Sequence, residues 1–300
     1  RSPWLWLGAG LAVAVWLPNL LWQATNGWPQ LELAQDIRED DAGESRATLL
    51  PFQLLAVGPL LVPVVVAGLW ALWRDPALRP WRALGFAYPV LLVLLLVAGA
   101  KPYYAAPLLV CRLAPGAVVV ERWLTTTAHA ALVGAAIAVT AATTIVVALP
   151  VLPAERLEGT IVADANEDAI ETVGWPALAR TVAGVYDELP PGERASAVVF
   201  TGNYGEAGAI DRYGTALGLP RAYSGHNAYA RFGVPPGSAG PVIVLGHRDP
   251  SVHFDGCMAA ATIDNGVGLE NEEQGGTVFV CAAPRLPWRE LWPALSHLDA

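Results

Sequence analysis

The stretch ALGFAYPVLLVLLLVAGAKPYY, which runs from Ala83 to Tyr104, sets the fold class of this protein. Its first part, Ala83–Ala100, carries no charged side chain and is almost wholly apolar. A helix needs about 20 such residues to cross the roughly 30 Å hydrocarbon core of a bilayer. The stretch therefore predicts a transmembrane helix, followed at once by a lysine, a helix-breaking proline and two tyrosines.

Four further stretches have a similar length and composition. They are Trp4–Trp22, Leu49–Trp73, Ala105–Val120 and Thr125–Leu152. The alternative, a set of buried helices in a large soluble core, is disfavoured because charge-free stretches of this length recur. We therefore predict a multi-span α-helical membrane domain over residues 1–152, with about five transmembrane helices. Ala105–Val120, the fourth span in chain order, is the weakest of these predictions because it contains Arg112.

Composition and charge exclude several classes of protein. Hydrophobic residues make up 54% of the chain, charged residues 15%, and the mean hydropathy is +0.41. Such apolar content excludes a disordered chain. The net charge of −9 excludes a basic nucleic-acid binder, which would carry a face rich in Lys and Arg. The acidity belongs to residues 153–300, where 9 basic residues stand against 19 acidic ones, a balance of −10.

The loops predict how the spans are oriented. The turn Arg74–Arg82 contains three arginines, whereas residues 23–48 contain two arginines and six acidic residues. The excess of basic residues in cytoplasmic loops places the turn inside and residues 23–48 outside. Alternation then places Lys101 and all residues after the fifth span outside. We expect a multi-pass membrane protein with an exported C-terminal domain.

The periodicity changes after about residue 153 and predicts a small three-layer α/β domain over residues 153–300. Two helices are predicted, Trp175–Leu189 and Glu206–Leu217. Three strands are predicted, at Ala197–Thr201, Pro241–Leu245 and Thr277–Cys281.

The first candidate site is Lys101 with Tyr103 and Tyr104. Lys101 is the only lysine in the sequence. An ammonium group with two phenol hydroxyls at the depth of the lipid headgroups would bind a phosphate well. A lysine at a span end is also a common interfacial anchor, and spacing alone leaves both roles open.

Further candidates lie in the exported domain. Gly202–Gly208 follows a strand and opens a helix, so its backbone N–H groups could hold an anion, with Asn203, Tyr204 and Glu206 as possible binding residues, or the segment could only form a turn. His226 and Asn227 form a polar loop, either for binding or for structure. The segment His247–Asp255 has metal-ligand residue types at irregular spacing, which favours a surface loop. The compartment permits a disulfide between Cys257 and Cys281.

Several of these pieces together resemble glycosyltransferase family 39, the protein mannosyltransferase and aminoarabinose transferase group with the GT-C fold. The matching segments are Pro18–Gln23, Asn26–Pro29, Lys101–Tyr104, Asn203–Ile210, Ser224–Asn227, Asn271–Glu273 and Trp288–Pro293. The resemblance covers nearly the whole chain. Its exported motifs are fairly specific to a bacterial subgroup, and its hydrophobic spans are not.

The resemblance implies transfer of a sugar, with inversion, from a polyprenyl-phosphate carrier to an acceptor at the outer membrane face. Lys101, Tyr103 and Tyr104 match the family's late lysine–tyrosine segment near the carrier phosphate. The resemblance implies no resident cofactor, and it leaves the need for a divalent metal open. No metal-ligand motif stands in the sequence.

The family's acidic general base lies in the first outer loop, among N-terminal spans, and this chain has no counterpart. Asp36, Glu39, Asp40 and Asp41 belong to a later loop and are not assigned that role. Because the chain opens at Arg1 rather than at Met, we expect a preceding part to carry the base, and none of the residues here to be catalytic.

Two other functions compete with this reading. A transporter segment would show more charges inside spans and an inverted repeat. A non-catalytic membrane-anchored module would use the acidic domain to bind a sugar or a protein.

Overall fold

The computed structural model describes residues 3–237, 240–246 and 249–299, and the chain forms two compact units. The first, here called the helical unit, ends at Ala141, and Leu298 and Asp299 group with it. The second, here called the sheet unit, comprises residues 142–297. The two are described separately.

The helical unit contains seven α-helices in its described part. They are α1 (Pro3–Thr25), α2 (Pro29–Asp40), α3 (Ala42–Val57), α4 (Val62–Arg74), α5 (Arg82–Ala98), α6 (Pro107–Trp123) and α7 (Thr127–Ala148), which continues into the sheet unit. Short 3-10 turns at Pro59–Leu61, Pro76–Trp81 and Pro102–Ala105 join the later helices. The predicted outer loop 23–48 is thus largely helical.

Three described helices are long and apolar enough to cross a membrane. They are Trp6–Thr25, Pro76–Ala98 and Thr127–Ala148. These three correspond to the first, third and fifth predicted spans. A fourth is counted only if α3 and α4, which meet at 80°, are one broken span.

The predicted span Leu49–Trp73 is not one continuous helix: it comprises the end of α3 and nearly all of α4, which form either one broken span or a re-entrant loop. Gly58 has φ +79°, a conformation that ends α3, and Pro59 starts a new turn in another direction. Side chains of α3 contact α5, the turn after it and α6: Leu49 packs with Tyr88 and Leu95, Gln53 bonds to Tyr88 and Pro102, and Val57 packs with Leu109. α3 therefore packs against α5 and against the turn and helix that follow it.

The predicted fourth span is a helix, but a short one. α6 has 17 residues and is about 26 Å long at 1.5 Å per residue, which is less than the bilayer core. Its Arg112 is buried in the helical unit, with its guanidinium 3.1 Å from the centre of the Tyr88 ring. The count of about five complete spans falls to three or four.

The sheet unit contains a five-stranded sheet in the order β2-β1-β3-β6-β5. These strands are β1 (Val198–Thr201), β2 (Ala222–Ser224), β3 (Val242–Gly246), β5 (Met258–Thr262) and β6 (Thr277–Cys281), and β4 (Phe254–Asp255) pairs with β7 (Ala283–Pro284). β1, β2 and β3 run parallel to one another. β6 is antiparallel to both of its neighbours, β3 and β5. The sequence analysis did not predict that the sheet combines parallel and antiparallel strands.

Helices cover both faces of this sheet, as the three-layer prediction requires. The sheet unit contains α8 (Ile161–Ala165), α9 (Asp168–Glu171), α10 (Trp175–Glu188), α11 (Pro191–Arg194), α12 (Tyr204–Ala209) and α13 (Trp288–Leu295). Of these, α10 and α12 pack on one face of the sheet and α13 packs on the other. Side chains alternate along β1, so Val199 packs with α10 while Phe200 packs with Trp288 of α13. The predicted helix Glu206–Leu217 begins two residues earlier and changes to a π-helical turn at Ile210.

Candidate functional site

The first candidate site is the connection between α5 and α6, where Lys101 stands. Pro102 and Pro107 prevent either helix from continuing through the connection, and Pro102–Ala105 forms a 3-10 turn. Pro102 and Ala105 are buried, so the turn is anchored by its small apolar residues. Lys101, Tyr103 and Tyr104 are therefore held on one short turn.

The ammonium group of Lys101 is paired with the carboxylate of Asp41, with Nζ 2.5 Å from Oδ2. Both side chains are about one-quarter exposed, at 26% and 28%. The hydrogen bond to Asp41 raises the pKa of Lys101 above its ordinary value, against the opposing effect of partial burial, and Glu44 adds to the increase. Lys101 is thus a fixed cation with a carboxylate partner, which sequence reasoning had not assigned to it.

Asp41 reaches Lys101 because α3 is tied to the same turn. Arg46 donates from Nε to the carbonyl of Leu96 at 3.0 Å, which satisfies one of the last carbonyls of α5. Gln53 donates to the carbonyl of Pro102 at 2.9 Å and accepts a hydrogen bond from the hydroxyl of Tyr88. Asp41, Arg46 and Gln53 are site residues that sequence reasoning missed, because no local pattern relates them to Lys101.

Tyr103 and Tyr104 present their rings at the surface next to Lys101. Their side chains are 52% and 47% exposed, and their ring centres lie 5.0 Å apart, edge to face. The turn therefore combines one oriented ammonium group with two phenols, and Arg46 adds a second cation nearby. This arrangement can bind an anionic group of a lipid.

The second candidate region follows the carboxyl ends of β1 and β2 in the sheet unit. Glu206 is buried, and its Oε2 accepts hydrogen bonds from the backbone N–H groups of Gly202 and Asn203 at 2.9 and 3.2 Å. The Asn203 side chain accepts in return from the N–H of Glu206 at 2.8 Å. This reciprocal arrangement is a capping box, so the geometry gives Glu206 and Asn203 a structural role.

The other three predicted residues of this region, Tyr204, His226 and Asn227, come together. The rings of Tyr204 and His226 are 4.8 Å apart, and His297 stacks on His226 at 4.8 Å with an interplanar angle of 11°. The Asn227 amide Nδ2 lies 2.9 Å from His226 Nε2. His297 was not predicted, because it lies at the far end of the chain.

Asn203 also links this region to Glu273, donating to its Oε1 at 3.4 Å. Glu273 is 7% exposed. Burial raises its pKa to about 7 despite the Asn203 hydrogen bond, and nearby carboxylates act in the direction of the increase. Sequence reasoning noted Glu273 only as part of the family resemblance.

The remaining candidates lie elsewhere in the sheet unit. Cys257 and Cys281 form a disulfide between neighbouring strands. Asp255 pairs with Arg285 at 3.2 Å, which agrees with a surface loop. His247 and Arg248 of that loop lie outside the described residues.

Comparison of the chain with protein-family models, curated proteins and solved structures finds no match.

Proposed function

We propose that this chain contributes the carrier-phosphate site of an integral membrane glycosyltransferase with a GT-C-like helical domain. The enzyme transfers a sugar from a polyprenyl-phosphate-linked donor to an acceptor at the outer face of a bacterial cell membrane. The observation that carries the proposal is the turn with Lys101, Tyr103 and Tyr104, in which Asp41 orients the ammonium group.

The surface of the helical unit supports a membrane location. Large apolar side chains there are mostly exposed, among them Trp4, Leu11, Val15, Val97, Val110 and Leu132, each at least 63% exposed. A surface of this kind is unfavourable in water and favourable against lipid. The sidedness in this proposal follows from the arginines of the turn 74–82, which favour a cytoplasmic position.

Two ion pairs support a consistent orientation of the later helices. Asp41 pairs with Lys101, which follows the end of α5. Asp75, which precedes α5, pairs at 3.6 Å with Arg122 at the end of α6. Because α5 separates Asp75 from Lys101, the two pairs belong to opposite ends of α5. We therefore assign the Lys101 end to the outer face and the Asp75 end to the cytoplasmic face.

The proposed chemistry of the turn is charge stabilisation. When the sugar leaves its carrier, negative charge accumulates on the lipid phosphate. A fixed ammonium group and hydroxyl donors stabilise that charge most when they are already oriented before the reaction. Asp41 holds Lys101 in position until the phosphate takes its place as the partner of the ammonium group. It is not assigned the role of general base, which the family resemblance places in an earlier loop.

The test is binding of a radiolabelled polyprenyl phosphate to the chain in lipid nanodiscs. We expect saturable binding that Lys101→Met reduces at least about tenfold, because loss of a charge-assisted contact to phosphate costs about 1.5–3 kcal/mol. The matched control is Arg79→Met, which removes an exposed cation from the turn before α5. Equal binding by both variants and the unaltered chain would reduce Lys101 to an interfacial anchor.

A second candidate function is sugar binding by the sheet unit. It is favoured by the cluster of Tyr204, His226, Asn227 and His297, because ligands of α/β sheets bind outside the carboxyl ends of parallel strands. The test is a glycan array probed with the whole chain in detergent and with Tyr204→Ala. Loss of glycan binding in Tyr204→Ala, with polyprenyl-phosphate binding retained, would separate this function from the first.

A further inference from the structure

A groove lies along α4 in the helical unit, near the end of that helix. Its volume is about 360 Å³, and it is open to its surroundings. The residues that line it are Ala67, Trp70, Ala71, Arg74, Asp75 and Val119. Those from Ala67 to Arg74 follow the i, i+3, i+4, i+7 spacing of one helix face, and Val119 comes from α6. The groove is therefore formed by one face of α4 together with α6.

The groove lies beside a close approach of α4 and α6. A Cβ atom at Gly68 would lie 1.8 Å from the carbonyl oxygen of Arg112, and one at Gly116 would lie 2.0 Å from that of Val64. The backbones of the two helices are therefore in direct contact at this point. The two alanines of the groove have short side chains, which leave the space next to the contact unfilled.

Arg74 supplies a cation at one end of the groove. Its guanidinium Cζ lies over the Trp70 ring, 4.7 Å from the ring centre. This cation–π contact orients the guanidinium, while its N–H donors, which lie in the guanidinium plane, can still bind an anion. Arg74 forms no ion pair within residues 3–237, 240–246 and 249–299.

The carboxylate that lines the groove is already compensated. Asp75 accepts a hydrogen bond at Oδ1 from the N–H of Ala77 at 2.9 Å, and its Oδ2 pairs with Arg122 at 3.6 Å. This end of the helical unit has four arginines and two carboxylates, an excess of two positive charges. They are Arg74, Arg79, Arg82 and Arg122 against Asp75 and Glu121. The local charge favours a ligand with a net negative charge.

The apolar lining favours a lipid over a soluble anion. A soluble phosphate would bind Arg74 and leave the apolar part of the groove empty, whereas an acyl chain would fill it. Trp70 is 58% exposed, as is common for tryptophan at the boundary between a bilayer and water. A zwitterionic headgroup would bring its own cation towards the arginines, so an anionic headgroup fits better.

We propose that this groove binds an anionic phospholipid, with the lipid phosphate bound by Arg74 and an acyl chain packed along Ala67, Ala71 and Val119. In the orientation assigned above, the lipid belongs to the cytoplasmic leaflet. The groove is separate from the proposed carrier-phosphate site, because Lys101 follows the opposite end of α5. This proposal requires only that the chain lies in a membrane, and it does not rest on glycosyl transfer.

The test is native mass spectrometry of the whole chain, released from micelles that contain equal amounts of phosphatidylglycerol and phosphatidylcholine with identical acyl chains. We expect saturable retention of phosphatidylglycerol in preference to phosphatidylcholine. Arg74→Gln should weaken phosphatidylglycerol binding about fivefold, which is the contribution of one arginine near an anionic lipid. The matched control is Arg79→Gln, which removes an exposed cation that does not line the groove and should change the binding less.

A second variant tests the groove without changing its charge. Ala67→Phe fills the groove and should also weaken phosphatidylglycerol binding. Ala117→Phe places the same ring at an exposed position of α6 that does not line the groove, and it should leave this binding unchanged.

Three results would overturn the proposal. They are equal retention of the two lipids, competition by soluble glycerol phosphate, and phosphatidylglycerol binding that survives both Arg74→Gln and Ala67→Phe. Arg74→Gln should leave polyprenyl-phosphate binding unchanged, so the failure of this proposal can be distinguished from the failure of the carrier-phosphate site.

Discussion

Lys101 and Asp41 form an ion pair of 2.5 Å although 60 positions separate them in the sequence. The pair joins the junction of α2 and α3 to the connection between α5 and α6. The Asp41 side chain forms no cap hydrogen bond with the helix that it precedes, and its carboxylate accepts from Lys101 instead. The pair therefore links the fold of the helical unit to the site proposed for the carrier phosphate.

Asp41→Asn should strengthen polyprenyl-phosphate binding. The Asp41 carboxylate competes with the phosphate for the Lys101 ammonium group, and a partly exposed ion pair is worth about 0.2–1 kcal/mol. Its loss should raise affinity by up to about fivefold. The measurement is the binding titration in nanodiscs, with Asp40→Asn as a control in the adjacent position. Weaker binding by Asp41→Asn would show that Asp41 orients Lys101 more than it competes with the ligand.

Gly225→Ala should disrupt the cluster around His226. A Cβ at position 225 would lie 1.9 Å from the carbonyl oxygen of Leu295, which is backbone and cannot yield cheaply. We expect the free energy of unfolding of the sheet unit to fall by about 1–3 kcal/mol, as in other overpacked sites. Hydrogen exchange over residues 288–297 should become faster. Gly208→Ala, which meets no atom within 4 Å, is the matched control and should leave this exchange unchanged.

Replacement of both Cys257 and Cys281 by Ser should destabilise the sheet. The disulfide closes a loop with a sequence separation of 24, for which chain entropy suggests about 3 kcal/mol of stabilisation. The expected result is faster hydrogen exchange in β5 and β6, measured against Cys111→Ser, whose cysteine is free and belongs to α6. Unchanged hydrogen exchange in the double variant would mean that pairing of β5 with β6 stabilises this edge of the sheet without the disulfide.

Glu206→Ala and Glu206→Gln should differ in stability if the capping box is the role of Glu206. Alanine leaves the N–H groups of Gly202 and Asn203 without their acceptor, at a cost of about 1–3 kcal/mol. Glutamine keeps a carbonyl acceptor and should recover most of that loss. Denaturant unfolding monitored in the sheet unit makes the comparison. Equal losses in both variants would instead assign importance to the negative charge.

Hydropathy located the apolar helices well but missed the break within one of the predicted spans. The stretch Leu49–Trp73 has the composition of a single span, yet the chain turns by 80° near Gly58. Composition measures the preference of a segment for an apolar environment, and it is the same for a helix across the membrane and one along it. The bend depends on the backbone conformation of Gly58 and on the contacts of α3 with α5, with the turn that follows α5 and with α6.

The candidate sites likewise divide into residues that the sequence identifies and residues that only the tertiary structure brings together. Lys101, Tyr103 and Tyr104 were found from the sequence because they are adjacent and chemically unusual in an apolar context. Asp41, Arg46 and His297 were not, because their partners are distant in the chain. For Glu206 the sequence left a binding role and a structural turn both open, since a helix cap and an anion-binding turn use the same residue types.

The sequence by itself determined the apolar helices of the first half, the acidic α/β character of the second, and the lysine–tyrosine turn between two helices. These features follow from local composition and periodicity, which act within a few residues. Only the tertiary structure decided that Asp41 pairs with Lys101, that the chain bends near Gly58 and that His297 stacks on His226. Such contacts depend on how distant segments pack, and packing is settled by burial and shape over the whole unit rather than by any single stretch.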